Sequence, residues 1–178
     1  MSLPVALMKI EIAGETAADV AAIQAVTISA FLHAQHTSHT EQFIVDALRK
    51  AGQLTVSLVA KTDNTIVGHV AISPVFISDG ATGWYGLGPL SVAPDYQRRG
   101  IGSRLMREAL RDLRERGASG CVLLGEPRYY NRFGFQVDPN LSLPGVPLEY
   151  FQALAFGTSH PRGVVSYHAA FTSAAKGG

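Results

Sequence analysis

Leu90-Ser91-Val92-Ala93-Pro94-Asp95-Tyr96-Gln97-Arg98-Arg99-Gly100-Ile101-Gly102-Ser103 joins a run that reads as a strand to the most regular helical pattern in the chain. From Ile101 onward, Leu105, Ala109 with Leu110, and Leu113 share one face, while Arg104, Arg107, Glu108, Arg111, Asp112 and Glu115 flank it or point away. That is the 3.6-residue period of an amphipathic helix, and Gly117 is placed to end it. The first turn of a helix carries unpaired N–H groups and a partial positive charge, so it attracts an anion. Gly100 and Gly102 leave room for a phosphate beside the backbone, Ser103 adds a hydroxyl, and Gln97, Arg98 and Arg99 arrive just ahead of the turn. A charge-assisted hydrogen bond contributes about 1.5–3 kcal/mol, so several donors converging on one pyrophosphate make a substantial anchor. Other phosphate loops fit worse. A dinucleotide fingerprint needs a third small residue where Leu105 stands, and a P-loop needs a Gly-Lys-Ser/Thr that the chain lacks. The bland alternative is a tight turn followed by a capped helix.

Upstream of this stretch, Trp84 to Val92 reads as a strand interrupted by Gly86, Gly88 and Pro89, a composition that signals a bulge or a close approach of another backbone. Thr55 to Lys61 and Ile66 to Val75 are β-rich runs joined by the turn Thr62-Asp63-Asn64-Thr65. Met8, Ile10 and Ile12 alternate with polar residues as a half-buried strand does. Thr16 with Asp19 resembles a capping box, after which Val20, Ile23, Val26 and Phe31 follow at helical spacing. Thr40 opens a second helix, with Phe43, Ile44, Ala47 and Leu48 on one face and Gly52 at its end. Downstream, Cys121 to Leu124 reads as a buried strand, Tyr129 to Phe133 as a short helix, and Phe135 to Val137 as a strand. Pro139 to Pro147 reads as a loop and Val164 to Phe171 as a final strand. No linker or repeat divides the 178 residues, so the expectation is one mixed α/β domain over 1–178.

Hydrophobic residues make up 47% of the chain, enough for a real core. The net charge is +1, far from the basic excess of a nucleic-acid binder, and most arginines cluster between Arg98 and Arg132. That clustering points to a local anionic ligand, with no nucleic acid as partner. One cysteine, Cys121, permits no intrachain disulfide, and no apolar run approaches the roughly 20 residues that span a bilayer. The expected location is the cytoplasm, with no signal peptide and no membrane partner.

Gln97-x-x-Gly100-x-Gly102, after a strand ending in Val92-Ala93-Pro94, resembles the acetyl-CoA-binding signature of the GNAT superfamily of N-acetyltransferases. Residues 5–137 follow that superfamily's order of elements. The resemblance implies a central, mostly antiparallel sheet whose fourth and fifth strands splay, flanked by helices. It implies acetyl-CoA as co-substrate, without a metal. The pantetheine arm would lie beside Leu90, Ser91 and Val92 as an added strand. The pyrophosphate would rest on Gln97, Arg98, Arg99, Gly100, Ile101, Gly102 and Ser103.

A second marker is Tyr129-Tyr130-Asn131-Arg132-Phe133-Gly134-Phe135. Tyr130 matches the superfamily's tyrosine four residues before a Gly-Phe pair, which there sits near the thioester sulfur. A thiol has a pKa of about 8.5 and a phenol one of about 10, so a positioned phenol can protonate the departing thiolate. An N–H near Val92 would polarise the carbonyl. The alternative is that the tyrosines and phenylalanines are core aromatics, and Tyr129 is read that way. The preceding Gly125-Glu126-Pro127-Arg128 departs from the common pattern, in which an asparagine precedes the tyrosine. It resembles a bacterial subset with Gly-acidic-Pro ahead of paired tyrosines. Glu126 is a candidate to accept the amine's proton, or a neighbour of a helix start that favours the dipole.

Trp84 and Tyr85 are candidates for an acceptor pocket, with core packing the equal alternative. His33-x-x-His36-x-x-His39 lacks a nearby cysteine and reads as a polar connection rather than a metal site. His69 and His168 read as hydrogen-bonded structural residues in strands, and Cys121 as buried and inert. The leading expectation is transfer of acetyl from acetyl-CoA to a primary amine. The alternatives are a non-catalytic acyl-CoA sensor and an enzyme acting on charged transfer RNA, which the near-neutral charge disfavours. Pairing of two chains through Val164 to Phe171 is a further expectation, because that run would otherwise be a long open edge.

Overall fold

A computed structural model describes residues 8–34 and 37–172. Six strands form the main sheet: β1 (Glu11–Gly14), β2 (Val56–Thr62), β3 (Thr65–Pro74), β5 (Trp84–Val92), β6 (Gly120–Leu124) and β8 (Phe151–Ala155). Their spatial order is β1-β2-β3-β5-β6-β8, antiparallel throughout except for the β5/β6 pair. Asp63 and Asn64, both at positive φ, make the β2–β3 turn, the pattern that matches the twist of a two-residue hairpin. Two helices, α1 (Val20–Phe31) and α2 (Glu41–Lys50), precede β2, and α3 (Ile101–Glu115) follows β5.

Alternation along β2 divides the core. Val56 and Ala60 join Val70, Ile72 and the apolar stripe of α3, completed by Met106. Val59, on the opposite face, packs with Ile23 of α1 and Val45 of α2. The sheet is therefore a middle layer between α3 and the α1–α2 pair. Thr16 and Asp19 form the capping box ahead of α1: the Thr16 N–H reaches Asp19 Oδ2 at 2.8 Å and holds that carboxylate below its ordinary range. Lys61 adds an ion pair at 3.3 Å.

Four expectations are corrected. The first strand begins at Glu11 rather than Met8, because the Ile10 carbonyl accepts a bond from Arg104 of α3 (2.9 Å) instead of joining the ladder. Phe135 to Val137 makes only a single bridge, Gln136 to Ala153, confined by left-handed Gly134 on one side and the Asp138 turn on the other. The strand that completes the main sheet is β8, not Val164 to Phe171. The latter region holds only β9 (Gly163–Ser166), which lies between β4 (Phe76–Ile77) and β7 (Leu141–Ser142) in a second, three-stranded sheet. Beyond Ser166 the chain turns, with the Ala170 N–H donating to His168 Nδ1 at 3.0 Å, so His168 is hydrogen-bonded but not in a strand. Because β9 is flanked on both sides, it presents no long edge for a second chain. The small sheet packs on the main one through Ile77, Trp84, Val122, Leu141, Phe151 and Val165.

Two buried titratable side chains are structural. Cys121 is fully enclosed, and burial pushes its thiol well above the usual range. His69, in β3, is fully buried and bonds Ser57 Oγ through Nε2 at 2.8 Å. Desolvation lowers its pKa from 6.5 to about 4, so the fold favours neutral imidazole. The unfolded chain then binds more protons between those two values, and stability is lost as pH falls from about 6.5 to about 4. The expected loss is on the order of 3 kcal/mol, given 1.36 kcal/mol per pKa unit. Urea unfolding across that pH range, compared with a His69→Gln variant, checks it. The wild-type curve should be steeper by that amount, and parallel curves would refute the assignment.

Candidate active site

The parallel pairing of β5 with β6 covers only Trp84, Tyr85 and Gly86, opposite Gly120, Cys121 and Val122. Beyond Gly86 the two strands part. On its other side β5 continues with β3 to Val92, across a register shift where Gly88 and Pro89 oppose the single residue Ala71. The bulge expected from this Gly and Pro content is thus the place where the sheet opens. The Ala93 N–H bonds Val67 O of the β2–β3 side at 2.8 Å. Strand alternation then turns the N–H and C=O of Leu90 and Val92 toward the gap. The Val92 carbonyl accepts a bond from Gln97 Nε2 at 3.0 Å, which fastens the loop to the strand.

Two hollows flank this open backbone, and Leu90 borders both. The first, of about 570 Å³, runs along Val92, Gln97, Arg98 and the start of α3 from Gly100 to Ser103. Gly100 sits at φ +80° as the N-cap of α3, a left-handed conformation in which a side chain is strained. The first intrahelical bond runs from the Arg104 N–H to the Gly100 carbonyl at 3.1 Å. The N–H groups of Ile101, Gly102 and Ser103 precede it without an intrahelical partner, and these three residues line the hollow at the positive end of a 15-residue helix. Arg98 lines the hollow, but Arg99 turns aside, its guanidinium 3.1 Å from Met8 Sδ and 5.6 Å from the Tyr96 ring centroid. Arg132 and Tyr129 also line it, with Arg132 4.6 Å above the Tyr129 ring. Tyr129 is therefore not a core aromatic. A Cβ on Gly102 would stand 3.0 Å from its hydroxyl, so glycine is the residue that fits there.

The second hollow, of about 660 Å³, opens on Leu87 to Leu90 and on Tyr130. Both tyrosines belong to α4 (Pro127–Tyr130), a single turn entered with Pro127 at its start and Glu126 as N-cap. Their rings meet edge to face, with centroids 4.9 Å apart, so one faces each hollow. Burial, helped by Tyr129, pushes the Tyr130 phenol up to about 12. It stays protonated across the physiological range, so its proton is present to be given, and the same shift makes it a weaker donor than an ordinary phenol.

Tyr130 reaches this place because of Gly125. A Cβ there would collide with the Tyr130 ring. Gly125 is itself pinned at the end of β6 by its N–H to the Tyr150 carbonyl (3.0 Å) and by Gln152 Nε2 to its own carbonyl (3.1 Å). The Gly-acidic-Pro departure noted in the sequence is thus the seat of the tyrosine. Glu126 is exposed and lines neither hollow. A different carboxylate borders the second one: Glu41, at the start of α2. Sequence reasoning passed over it, since a Glu in the first turn of a helix is ordinary.

Trp84 lies elsewhere. It is 3% exposed, packs its ring against Gly120, donates to Ser159 Oγ at 3.2 Å and borders a separate hollow with Gly134 and with Gln136 to Pro139. Tyr85 packs on the main core and does not line the Tyr130 cleft. Among the described residues no cluster of three His, Cys, Asp or Glu side chains is arranged to hold a metal ion. His36 lies outside the described residues, and His39 borders a small apolar hollow with Ile28, Phe31 and Leu32. No helix among the described residues is long and apolar enough to cross a membrane.

Comparison with known proteins agrees with this geometry. Residues 20–135 match the family model described as the acetyltransferase (GNAT) family. An uncharacterized N-acetyltransferase of Escherichia coli, YhbS, is 39% identical over 116 residues, 65% of this chain and 70% of that protein. The structure superposes on a GNAT family acetyltransferase from Brucella melitensis, solved with acetyl-CoA, with a TM-score of 0.82, 49% identity and coverage of 92% and 98% of the two chains. It superposes on E. coli YhbS, solved with CoA, with a TM-score of 0.83, 30% identity and coverage of 97% and 96%.

Two outcomes follow from the seat of Tyr130. Gly125→Ala should displace the ring and lower kcat at least tenfold while leaving acetyl-CoA affinity unchanged within twofold, as read by steady-state kinetics beside calorimetry. A matching loss of affinity would show that Gly125 serves the whole fold instead. Ultraviolet titration of phenolate, compared between wild type and Tyr130→Phe, should show that the tyrosine missing from the variant is still protonated at pH 11. An ionisation near 10 would remove the shielding argument.

Proposed function

Because the chain belongs to the GNAT acetyltransferase family, we propose that it transfers the acetyl group of acetyl-CoA to a primary amine by direct attack on the thioester, with Tyr130 as general acid. The observation that carries this reading is the open edge of β5, which links an anion-binding helix start to a cleft holding a protonated phenol. The N–H groups of Ile101, Gly102 and Ser103 receive the pyrophosphate, with Gly100 leaving the approach clear and Gln97 fixing the loop. Arg98 adds charge at the rim, joined by Arg132, which the sequence reading did not include. Arg99 acts through Tyr96 and Met8 in shaping the loop. The amide groups of the pantetheine arm pair with Leu90 and Val92, past Ser91, as an added strand would.

That placement carries the thioester past Leu90 into the cleft beside Tyr130. The amine nitrogen attacks the carbonyl carbon, whose oxygen takes up negative charge and is stabilised by a strand N–H. The C–N bond forms and the C–S bond breaks. The departing thiolate takes the Tyr130 proton, and the phenolate is reprotonated by the proton released from the amine, through water. A pKa of about 12 keeps the phenol loaded at neutral pH, and a thiolate leaves readily enough that the phenol contributes only part of the rate. An acceptor that arrives as an ammonium loses its extra proton to solvent before attack, and Glu126, exposed beside α4 and outside both hollows, is a candidate for that earlier step through water. Trp84 and Tyr85 belong to the packing that supports the splay.

The net charge of +1 offers no broad basic face for a nucleic acid, and the acceptor is read as an amine. The single buried thiol suits a reducing, cytoplasmic setting. A sensor of acyl-CoA would have no use for a cleft beyond the thioester, which favours the enzyme.

Calorimetric titration with acetyl-CoA tests the cofactor half. The parent should bind and Gly100→Glu should lose at least tenfold, whereas Gly100→Ala, which carries the same backbone strain without the carboxylate, should lose less. Equal losses would reduce the glycine loop to a helix cap. For the chemistry, Tyr130→Phe should lower kcat by about three- to thirtyfold with acetyl-CoA affinity unchanged, and an unchanged kcat would remove the phenol from the mechanism.

A further inference from the structure

The cleft beyond Tyr130 has an uneven chemistry. Its walls are Phe31 from α1, Leu143 and Val146 from the loop before β8, and Tyr167 and Phe171 after β9. Leu124, at the end of β6, borders the same space and is 45% exposed. Among the described residues that line it, Glu41 is the one carrying a formal charge, and no Lys, Arg or His is present. One oxygen of Glu41, Oε1, accepts a bond from Thr37 Oγ1. The other, Oε2, is shielded from solvent and no hydrogen bond reaches it. A buried carboxylate oxygen without a donor is costly, and the terminal torsion of Glu is soft, so a cation entering the cleft would draw it inward.

Resting on the acetyltransfer reading, we propose that the acceptor is a small monocationic amine carried on an apolar or aromatic body, its ammonium held by Glu41 before it is deprotonated for attack. The apolar walls exclude water from the body of the acceptor, and the single carboxylate matches a single positive charge. An amino acid fits poorly, because its own carboxylate would enter a cleft whose described lining holds no cation, beside Glu41. A polyamine fits poorly as well, since its further charges would be stripped of water with no partner. The structural alternative for Glu41 is that it only stabilises the start of α2. Such a role predicts a change in melting temperature and no selective change in amine binding.

The probes are 2-phenylethylamine, phenylalanine and spermidine. The first two share a ring and differ in one carboxylate, and the third is a polycation. Binding of each to the CoA-loaded protein is measured by calorimetry, beside acetyl transfer from acetyl-CoA. 2-Phenylethylamine should bind and be acetylated with kcat/KM at least tenfold above the other two. Glu41→Gln should raise its KM about tenfold, with kcat and acetyl-CoA affinity near wild type and the melting temperature unchanged. The proposal is overturned if phenylalanine or spermidine is used as well, if 2-phenylethylamine does not bind the CoA-loaded protein, or if Glu41→Gln leaves its KM alone. Failure of acetyl-CoA itself to bind would sink the acetyltransfer reading instead, a result separate from these.

Discussion

A parallel pair of strands that stays together for only three residues governs this molecule. Backbone amides in a sheet normally satisfy one another, and an unpaired edge in the middle of a sheet is expensive unless something else fills it. Here β5 leaves β6 after Gly86, yet remains bonded to β3 as far as Val92. One side of the strand is rigidly held and the other is open. The opening is wedge-shaped, with its apex over the core and its mouth between the start of α3 and the cleft of Tyr130. Each part of the site takes its position from that wedge. The helix start of α3 lies at the end of β5, α4 lies at the end of β6, and the gap between them is the gap between the strands.

The small second sheet explains why the wedge is bounded. The strands β4, β9 and β7 carry the C-terminal segment over β5 and β6, where the Tyr167 ring packs on Gly86 and meets Phe171 at a tilt of 56°, with centroids 4.9 Å apart. The hydroxyl of Tyr167 is buried with no partner, and burial drives its pKa well above the ordinary phenol range. Its ring forms part of the cleft wall while its hydroxyl is enclosed by protein, whereas Tyr130, on the same cleft, is supported by the edge-on contact of Tyr129 and Phe135. Two tyrosines that line one cleft thus differ in role, because the Tyr167 hydroxyl is sealed inside the protein.

Much of the site was legible because its signals are local. The stripe of α3, the turn at Asp63-Asn64, the interrupted strand Trp84 to Val92 and the glycines of the loop each depend on residues within one or two turns of chain. Local sterics and periodicity decide such features before any tertiary contact forms. The resemblance to acetyltransferases rests on the same local residues, which is why Tyr130 could be picked out by its spacing from Gly134-Phe135. The strand β8 was not legible. Its buried positions include Gln152, whose polarity hides the strand; its amide nitrogen donates to the carbonyl of Gly125, 27 residues earlier, and its Oε1 is buried without a partner. Strands of two residues, such as β4 and β7, are too short to show any period.

What the sequence by itself determined is therefore the glycine turn, the helix behind it and the place of the tyrosine ahead of Gly134, since each is written in neighbouring residues. What only the tertiary structure decided is which side chains meet across long separations. It turned Arg99 toward Met8, brought Arg132 and Tyr129 to the loop, set Trp84 against Gly120 and carried Glu41 from α2 to the cleft of Tyr130. Those meetings depend on sheet order and on the parting of two strands, and no spacing along the chain encodes either one. The physical reason is that side-chain direction is fixed by local geometry, whereas what a side chain points at is fixed by the packing of distant elements.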